Sequence, residues 1–301
     1  MSAKLLEGAP IAEAVKAKVK EDLAALAKQG VQPKLVAVML GANPGAVAYA
    51  KMQRRACEEV GIGFELMEMP EDTTQDGLEK AICKLNDDGS VSSVILQMPV
   101  PPQIDARAVQ NIIAQRKDVD GVNPANMGLI VFGRPRLAPC TALSVMSLAK
   151  ASGMDVYGKE VVVVGHSEIV GKPVALLLVD AYATRDECGK TDKMAGATVT
   201  TCHIGTSQRG DLASHTKRAD MLVVAVGRAG LVNGDMIKAG AVVIDVGINR
   251  VEGKIVGDVD FETAKEVASQ ITPVPGGVGV VTTAMLLRNT VEAAQWQLEG
   301  A

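Results

Sequence analysis

The sequence predicts an α/β protein of two domains, each a parallel sheet covered by helices. Three observations carry this. Short apolar runs alternate with stretches of helical spacing from residue 10 to the C-terminus. In the second half, runs such as EVVVVG at 160–165 are continuously apolar, as strands covered on both faces are. That same run opens directly into a glycine turn and a helix start, the arrangement that aims backbone N–H groups at an anion.

The elements follow in order. Ile11, Val15, Val19, Leu23 and Leu26 recur at helical spacing and predict a helix over 10–29. KLVAVML at 34–40 reads as a strand, broken by GANPG at 41–45. A helix over 46–60 ends near Gly61, a strand covers 64–69, and a helix covers 74–87. The strand at 92–98 is stopped by Pro99, Pro101 and Pro102. The second half gives strands at 160–165, 197–203, 221–227 and 241–247, helices at 172–178 and 263–269, and a final helix at 282–298. A domain boundary falls near 140–150. The polar segment 180–196 is out of pattern and reads as a surface insertion rather than a functional lid.

Composition narrows the function classes. Aromatic residues make up only 2%, which argues against a base-stacking nucleic-acid surface. A net charge of −4 leaves no basic footprint for nucleic acid or an anionic membrane. Cys57, Cys83, Cys140, Cys188 and Cys202 are scattered and form no CxxC, so neither a disulfide framework nor a metal site is expected. No apolar run reaches the roughly 18 residues of a membrane span, and the N-terminus lacks a signal-like apolar core. A cytoplasmic protein is the expectation.

The turn after residues 161–165 reads G-x-S-x-x-x-G-x-P, with Gly165, His166, Ser167, Ile169, Gly171 and Pro173. It is not the general G-x-G-x-x-G pattern. One reading is a dinucleotide site, and the other is an ordinary βα turn with a glycine for packing. The strand-end turns at Ala225-Val226-Gly227 and Asp245-Val246-Gly247 suit a ligand lying over the carboxyl edge of the sheet.

Several long motifs together resemble one family. They are the helix bearing Tyr49 with ACEEVGI at 56–62, ILQMPVP at 95–101, KDVDG at 117–121, PCT at 139–141, the 165–173 loop, VVIDVGINR at 242–250, VGDVDF at 256–261 and ITPVPGGVG at 271–279. The chain resembles the FolD family of methylenetetrahydrofolate dehydrogenase/methenyltetrahydrofolate cyclohydrolases over nearly its whole length. The resemblance implies an N-terminal three-layer α/β folate domain of residues 1–145, to which the C-terminal helix 282–301 returns. It also implies a Rossmann-type NAD(P) domain of residues 146–281, a folate–nicotinamide cleft between the two, and a homodimer. The implied substrates are tetrahydrofolate one-carbon derivatives.

Carried over residue by residue, Tyr49, Gln97 and Asp120 fall on folate-site positions, and Pro273, Gly276 and Gly277 on the loop that approaches substrate and cofactor. Asp120 would pair with the donor edge of the pterin, while Asp118 braces its loop. The implied cofactor set is Gly165, His166, Ser167, Ile169, Gly171, His203, Ile204, Val226, Gly227, Gly247 and Ile248.

The departures bear on chemistry. The family's Tyr-x-x-x-Lys reads Tyr49-Ala50-Lys51-Met52-Gln53, so Gln53 stands at the lysine position. Lys51 is two residues from Tyr49 and points to another face of the helix. The family's serine is Ala46. Hydride loss needs orientation more than a base, whereas hydrolysis needs proton transfer. Glutamine cannot exchange a proton near neutral pH. The expectation is therefore a dehydrogenase with weak or absent cyclohydrolase activity. The alternatives are a bifunctional enzyme making 10-formyltetrahydrofolate through another proton carrier, and a non-catalytic folate- or nucleotide-binding protein. The cofactor is NAD or NADP, with NAD slightly ahead because His166 and Ile204 make a poor 2′-phosphate site. Arg185 or Lys193 of the insertion would be able to add contacts.

Overall fold

A computed structural model describes residues 2–179 and 196–299. The insertion at 180–196 thus lies, but for Gly196, outside the described residues, with Arg185, Cys188 and Lys193. In chain order the elements are β1 (Lys4–Leu5), α1 (Ala9–Ala27), β2 (Lys34–Leu40), α2 (Pro44–Val60), β3 (Gly63–Met69), α3 (Gln75–Asp87), β4 (Ser93–Leu96), α4 (Ala106–Ile112), α5 (Pro124–Val131) and α6 (Cys140–Ala151). They continue as β5 (Glu160–Val164), α7 (Gly171–Val179), β6 (Thr198–Cys202), α8 (Ile204–Gln208), α9 (Leu212–Thr216), β7 (Met221–Val224) and β8 (Val242–Asp245). The last are β9 (Asn249–Val251), β10 (Lys254–Val256), α10 (Phe261–Ala264), β11 (Gln270–Ile271) and α11 (Val278–Leu298).

The chain forms two compact units. The three-stranded unit holds Glu13–Leu129, Pro135–Cys140 and residues 283–299. Its parallel sheet has the order β3-β2-β4, with Leu35 opposite both Phe64 and Ser93. The central strand β2 is buried on both faces. Val36, Val38 and Leu40 pack with Leu78, Ile82, Leu85, Val94 and Val109, while Leu35, Ala37 and Met39 fill the opposite face. Each such side chain contributes about 1.5–3 kcal/mol by leaving water, so an apolar seven-residue run suits this strand. The part of α11 after Thr282 is anchored to this unit by polar contacts. Asn289 Nδ2 donates to the carbonyls of Val119 and Ala138 at 3.0 Å each, and Gln297 Nε2 donates to Ser92 O at 2.8 Å.

The six-stranded unit holds residues 2–12, Ile130–Arg134 and the described part of Thr141–Thr282. Its parallel sheet has the order β1-β11-β8-β7-β5-β6. The valines of β5 are buried on both faces between β6 and β7. β9 and β10 form a separate antiparallel hairpin.

The structure departs from the sequence reading in several places, four of which have a clear physical cause. Residues 2–12 belong to the six-stranded unit rather than to the one containing most of 1–145, because β1 pairs with β11 at the sheet edge. The helix expected over 263–269 is only α10, since Gly240 N donates to Val267 O and residues 270–271 join the sheet. The strand expected over 92–98 keeps four residues, and Gln97 N makes the last ladder bond, to Val38 O. Helix α2 begins at Pro44, inside the expected loop, because Asn43 caps it: Oδ1 accepts from Gly45 N at 2.9 Å and Ala46 N at 3.3 Å.

Candidate active site

In the three-stranded unit, α2 places Ala46, Tyr49 and Gln53 at three- and four-residue spacing on one helix face. Gln53 is fully buried, and its Oε1 accepts from Gln97 Nε2 at 2.8 Å. Gln97 is held at the end of β4, where its backbone N–H donates to Val38 O. The structure thus brings together Tyr49, Gln53 and Gln97. Gln53 Nε2 meets no acceptor at bonding distance, so a buried amide donor is left open beside Tyr49. Lys51 is exposed.

Asp120 joins the same neighbourhood. Burial raises its carboxyl to about 7, and the charge of Asp118 adds to the rise. Burial likewise raises the Tyr49 phenol, helped by Cys140 and Asp120, against a lowering contact from Gln53. Asp118 braces the loop: its Oδ2 accepts from Asn123 N and Asn126 Nδ2, both at 2.8 Å. Gly121, at φ +70°, lies where a Cβ would strike the Ala138 carbonyl, so the loop passes tightly under the start of α6. Two residues here have no place in the carried-over set. Cys140, the first residue of α6, has its thiol raised well above the usual range by burial, and Asn289 ties the Asp120 loop to the segment before α6. Cys140 was visible in the PCT motif, but Asn289 sits in α11 with no local signal.

In the six-stranded unit, β5 feeds Gly165 at φ +126°. A Cβ there would strike the Ala225 carbonyl, and one at Gly171 would strike the Gly165 carbonyl. Ser167 Oγ accepts from Val170 N at 3.2 Å and starts the turn into α7. A cavity of about 340 Å³ opens beside this turn. Gly165, His166, Ser167, His203, Ile204 and Val226 of the carried-over set line it, together with Ser207 and Arg228, which that set lacked. His166 and His203 meet edge to face at 5.3 Å, and His203 Nδ1 accepts from Gly205 N. Ile169, Gly171 and Gly227 are not in its wall. Gly247 and Ile248 line a second cavity of about 150 Å³ with Pro273, Gly276 and Gly277. The glycine-tight turn and the adjacent cavity fit a dinucleotide.

Among the described residues there is no cluster of metal-ligating side chains, and no helix is long and apolar enough to cross a membrane.

Comparison with known proteins agrees with this arrangement. Residues 6–120 match the family model described as tetrahydrofolate dehydrogenase/cyclohydrolase, catalytic domain, and residues 139–298 match its NAD(P)-binding domain. The chain is 48% identical over 296 residues to the bifunctional protein FolD of Moorella thermoacetica, covering 98% of this chain and all of that one. It superposes with a TM-score of 0.90 on the bifunctional FolD enzyme from Campylobacter jejuni, at 42% identity, covering 98% of this chain and 100% of that one. It also superposes with a TM-score of 0.88 on the Trypanosoma brucei dehydrogenase-cyclohydrolase complexed with NADP and an inhibitor, at 36% identity and 99% coverage of both chains. Bifunctional relatives favour the two-activity alternative over the expected loss of hydrolysis, and the NADP complex lends no support to the slight lead given to NAD. With its catalytic-domain and NAD(P)-binding-domain matches together covering nearly all of its length, the chain belongs to the tetrahydrofolate dehydrogenase/cyclohydrolase family.

Proposed function

We propose that this protein oxidises 5,10-methylenetetrahydrofolate to the methenyl form with NAD(P), then hydrolyses the methenyl cation to 10-formyltetrahydrofolate. The observation that carries the reading is the Tyr49–Gln53–Gln97 cluster beside an Asp120 of raised proton affinity, in a chain similar to solved enzymes named for both activities.

In this reading Tyr49, Gln53, Gln97 and Asp120 hold the folate, and Pro273, Gly276 and Gly277 line the smaller cavity of the six-stranded unit. Asp120 pairs with donors of the pterin. The phenol of Tyr49, protonated at neutral pH in any case and raised further by burial, acts as a donor. The amide of Gln53 is fixed by Gln97 and offers its open Nε2 to an acceptor atom of the substrate. These groups orient the methylene carbon, and hydride loss is driven by the lone pairs of its two flanking nitrogens. The nicotinamide, when bound, supplies the hydride acceptor. Gly165, Ser167 and Gly171 would hold its phosphates at the start of α7, with His166, Ile169, His203, Ile204, Val226, Gly227, Gly247 and Ile248 around the rest. Among the described residues, the cavity wall carries the cation of Arg228 and no carboxylate, which favours NADP over NAD.

Hydrolysis adds water to the methenyl carbon, opens the C–N5 bond and releases one proton. Gln53 cannot take that proton; Asp120, raised to about 7 by burial before folate binds, is the titratable carboxyl of this cluster and would reach the proton through water while it holds the pterin. A second reading, a dehydrogenase with weak or absent hydrolysis, is favoured by Gln53 itself. One experiment separates them: purified protein is given methylenetetrahydrofolate with NADP or NAD, and separately methenyltetrahydrofolate alone. Reduction of a nicotinamide together with loss of the methenyl chromophore above the buffer rate supports both activities. Reduction without hydrolysis supports the second reading, and no reduction of either cofactor overturns the enzyme assignment.

A further inference from the structure

We infer that Asp258 and Asp245, two buried carboxylates given no role above, are positioning residues that set the backbone of both cofactor-side cavities, the smaller of which Asp245 itself lines. The inference rests on the nucleotide reading of those cavities.

Asp258 is fully buried and Asp245 nearly so. Three consecutive backbone N–H groups of the loop after β7 converge on Asp258. Val226 N and Gly227 N donate to its Oδ2 at 2.6 and 2.9 Å, and Arg228 N donates to Oδ1 at 2.7 Å. Asn249 Nδ2 adds a fourth bond, to Oδ1 at 2.8 Å. Asp245, at the end of β8, in turn holds the chain that carries Asp258. Its Oδ1 accepts from Asp258 N and Gly247 N, both at 3.0 Å, and its Oδ2 accepts from Val259 N at 2.9 Å.

The two carboxylates therefore link one loop to the next. With its N–H groups turned inward to Asp258, the 226–228 loop presents Val226 and Arg228 to the larger cavity. Gly247, fixed by Asp245, lines the smaller one. Bonds to an ionised acceptor are roughly twice as strong as neutral ones, and a loop of three inward N–H groups has no neutral side chain able to take all three. Glycines make room for the pair. A Cβ at Gly247 would strike the Asp258 carboxyl, and one at Gly257 would strike the Asp245 carboxyl. The glycines of VGINR and VGDVDF are thus where the carboxylates pass closest to backbone.

The test is Asp258→Asn, which keeps the shape but turns an NH₂ toward inward N–H donors whichever way the amide faces. Binding of NADPH and NADH to the folate-free protein is followed by their fluorescence, with folate-ligand binding followed by calorimetry on the same samples. Nucleotide affinity should fall roughly tenfold or more, and the cofactor KM should rise, while folate affinity and folate KM stay within about twofold. Asn249→Ala, which removes one outer donor and leaves the loop bonds, should shift nucleotide affinity by less than about threefold. Nucleotide affinity unchanged in Asp258→Asn, or an equal loss of folate binding, overturns the inference. A wild type that binds neither nucleotide overturns the cofactor reading itself. Hydrogen exchange on the wild type covers a variant that does not fold: the amides of 226–228 must be strongly protected without ligand, and fast exchange there overturns the positioning role.

Discussion

Position 53 is where the two proposed readings of the chemistry part. Gln53 donates and accepts hydrogen bonds but holds no proton to trade, and its orientation is set by Gln97. Gln53→Lys is expected to raise methenyl hydrolysis roughly tenfold or more, within the usual range of general acid–base groups. Ala46→Ser together with Gln53→Lys should raise it further, since Ala46 is buried two turns before Gln53 on the same face. Both are measured against hydride transfer in the same preparation, and an unchanged ratio would show that position 53 does not limit hydrolysis. Asp120→Asn tests the other carrier. It should slow hydrolysis by roughly a hundredfold and remove its dependence on a group near 7, with a smaller loss in hydride transfer. A hydrolysis profile that keeps the same inflection in the variant would assign the proton to another group. Tyr49, Gln97 and Asp120 were legible because each sits in a contiguous motif. The roles of Asp258, Asp245 and Asn289 were not, although the two acids sit in quoted motifs, because most of their partners are backbone groups of other segments and no local spacing encodes such contacts.

Helices and strands were readable where one physical signal dominates. The apolar runs of β2 and β5 were found nearly to the residue because both strands are buried on both faces. The edge strand β1 is two exposed residues, whose place is set only by pairing with β11. Helix α2 starts before the residue its sequence pattern predicts, because Pro44 breaks a strand yet suits a helix start, where its missing N–H costs nothing. The turn between β5 and α7 gives an element-level prediction. Gly171→Ala places a methyl against the Gly165 carbonyl and the His166 amide, backbone atoms that cannot swing aside. The turn must open, and NADPH affinity should fall roughly tenfold or more while folate affinity is unchanged. Calorimetric titration of both ligands checks this. An unaltered NADPH affinity would mean that the turn does not grip the nucleotide.

For the molecule as a whole, the buried acids set how stability follows pH. Asp120 and Asp245 are both raised, to about 7 and about 6, chiefly by burial. A carboxyl raised in the folded state binds its proton more tightly there than in the unfolded chain. Between the unfolded value near 4 and the folded value, stability from these groups grows as pH falls and is lost as pH rises. For Asp120 the span from 3.8 to about 7 corresponds to an upper bound on the order of 4 kcal/mol, because partial solvation screens it. The two units need not unfold together, so a single midpoint for the whole chain would mix them. Trp296 resolves this. It is the chain's one Trp, and in the three-stranded unit it lies between the guanidinium groups of Arg116 at 5.7 Å and Arg136 at 5.1 Å. Its fluorescence reports on the unit that contains Asp120. Urea unfolding followed at Trp296 should give Asp120→Asn a stability advantage over wild type that is near zero below about pH 4, widens through about pH 7 and levels above it. An advantage that is flat across that window would mean the Asp120 carboxyl is solvated in the folded protein, and would remove it as the proton carrier for hydrolysis.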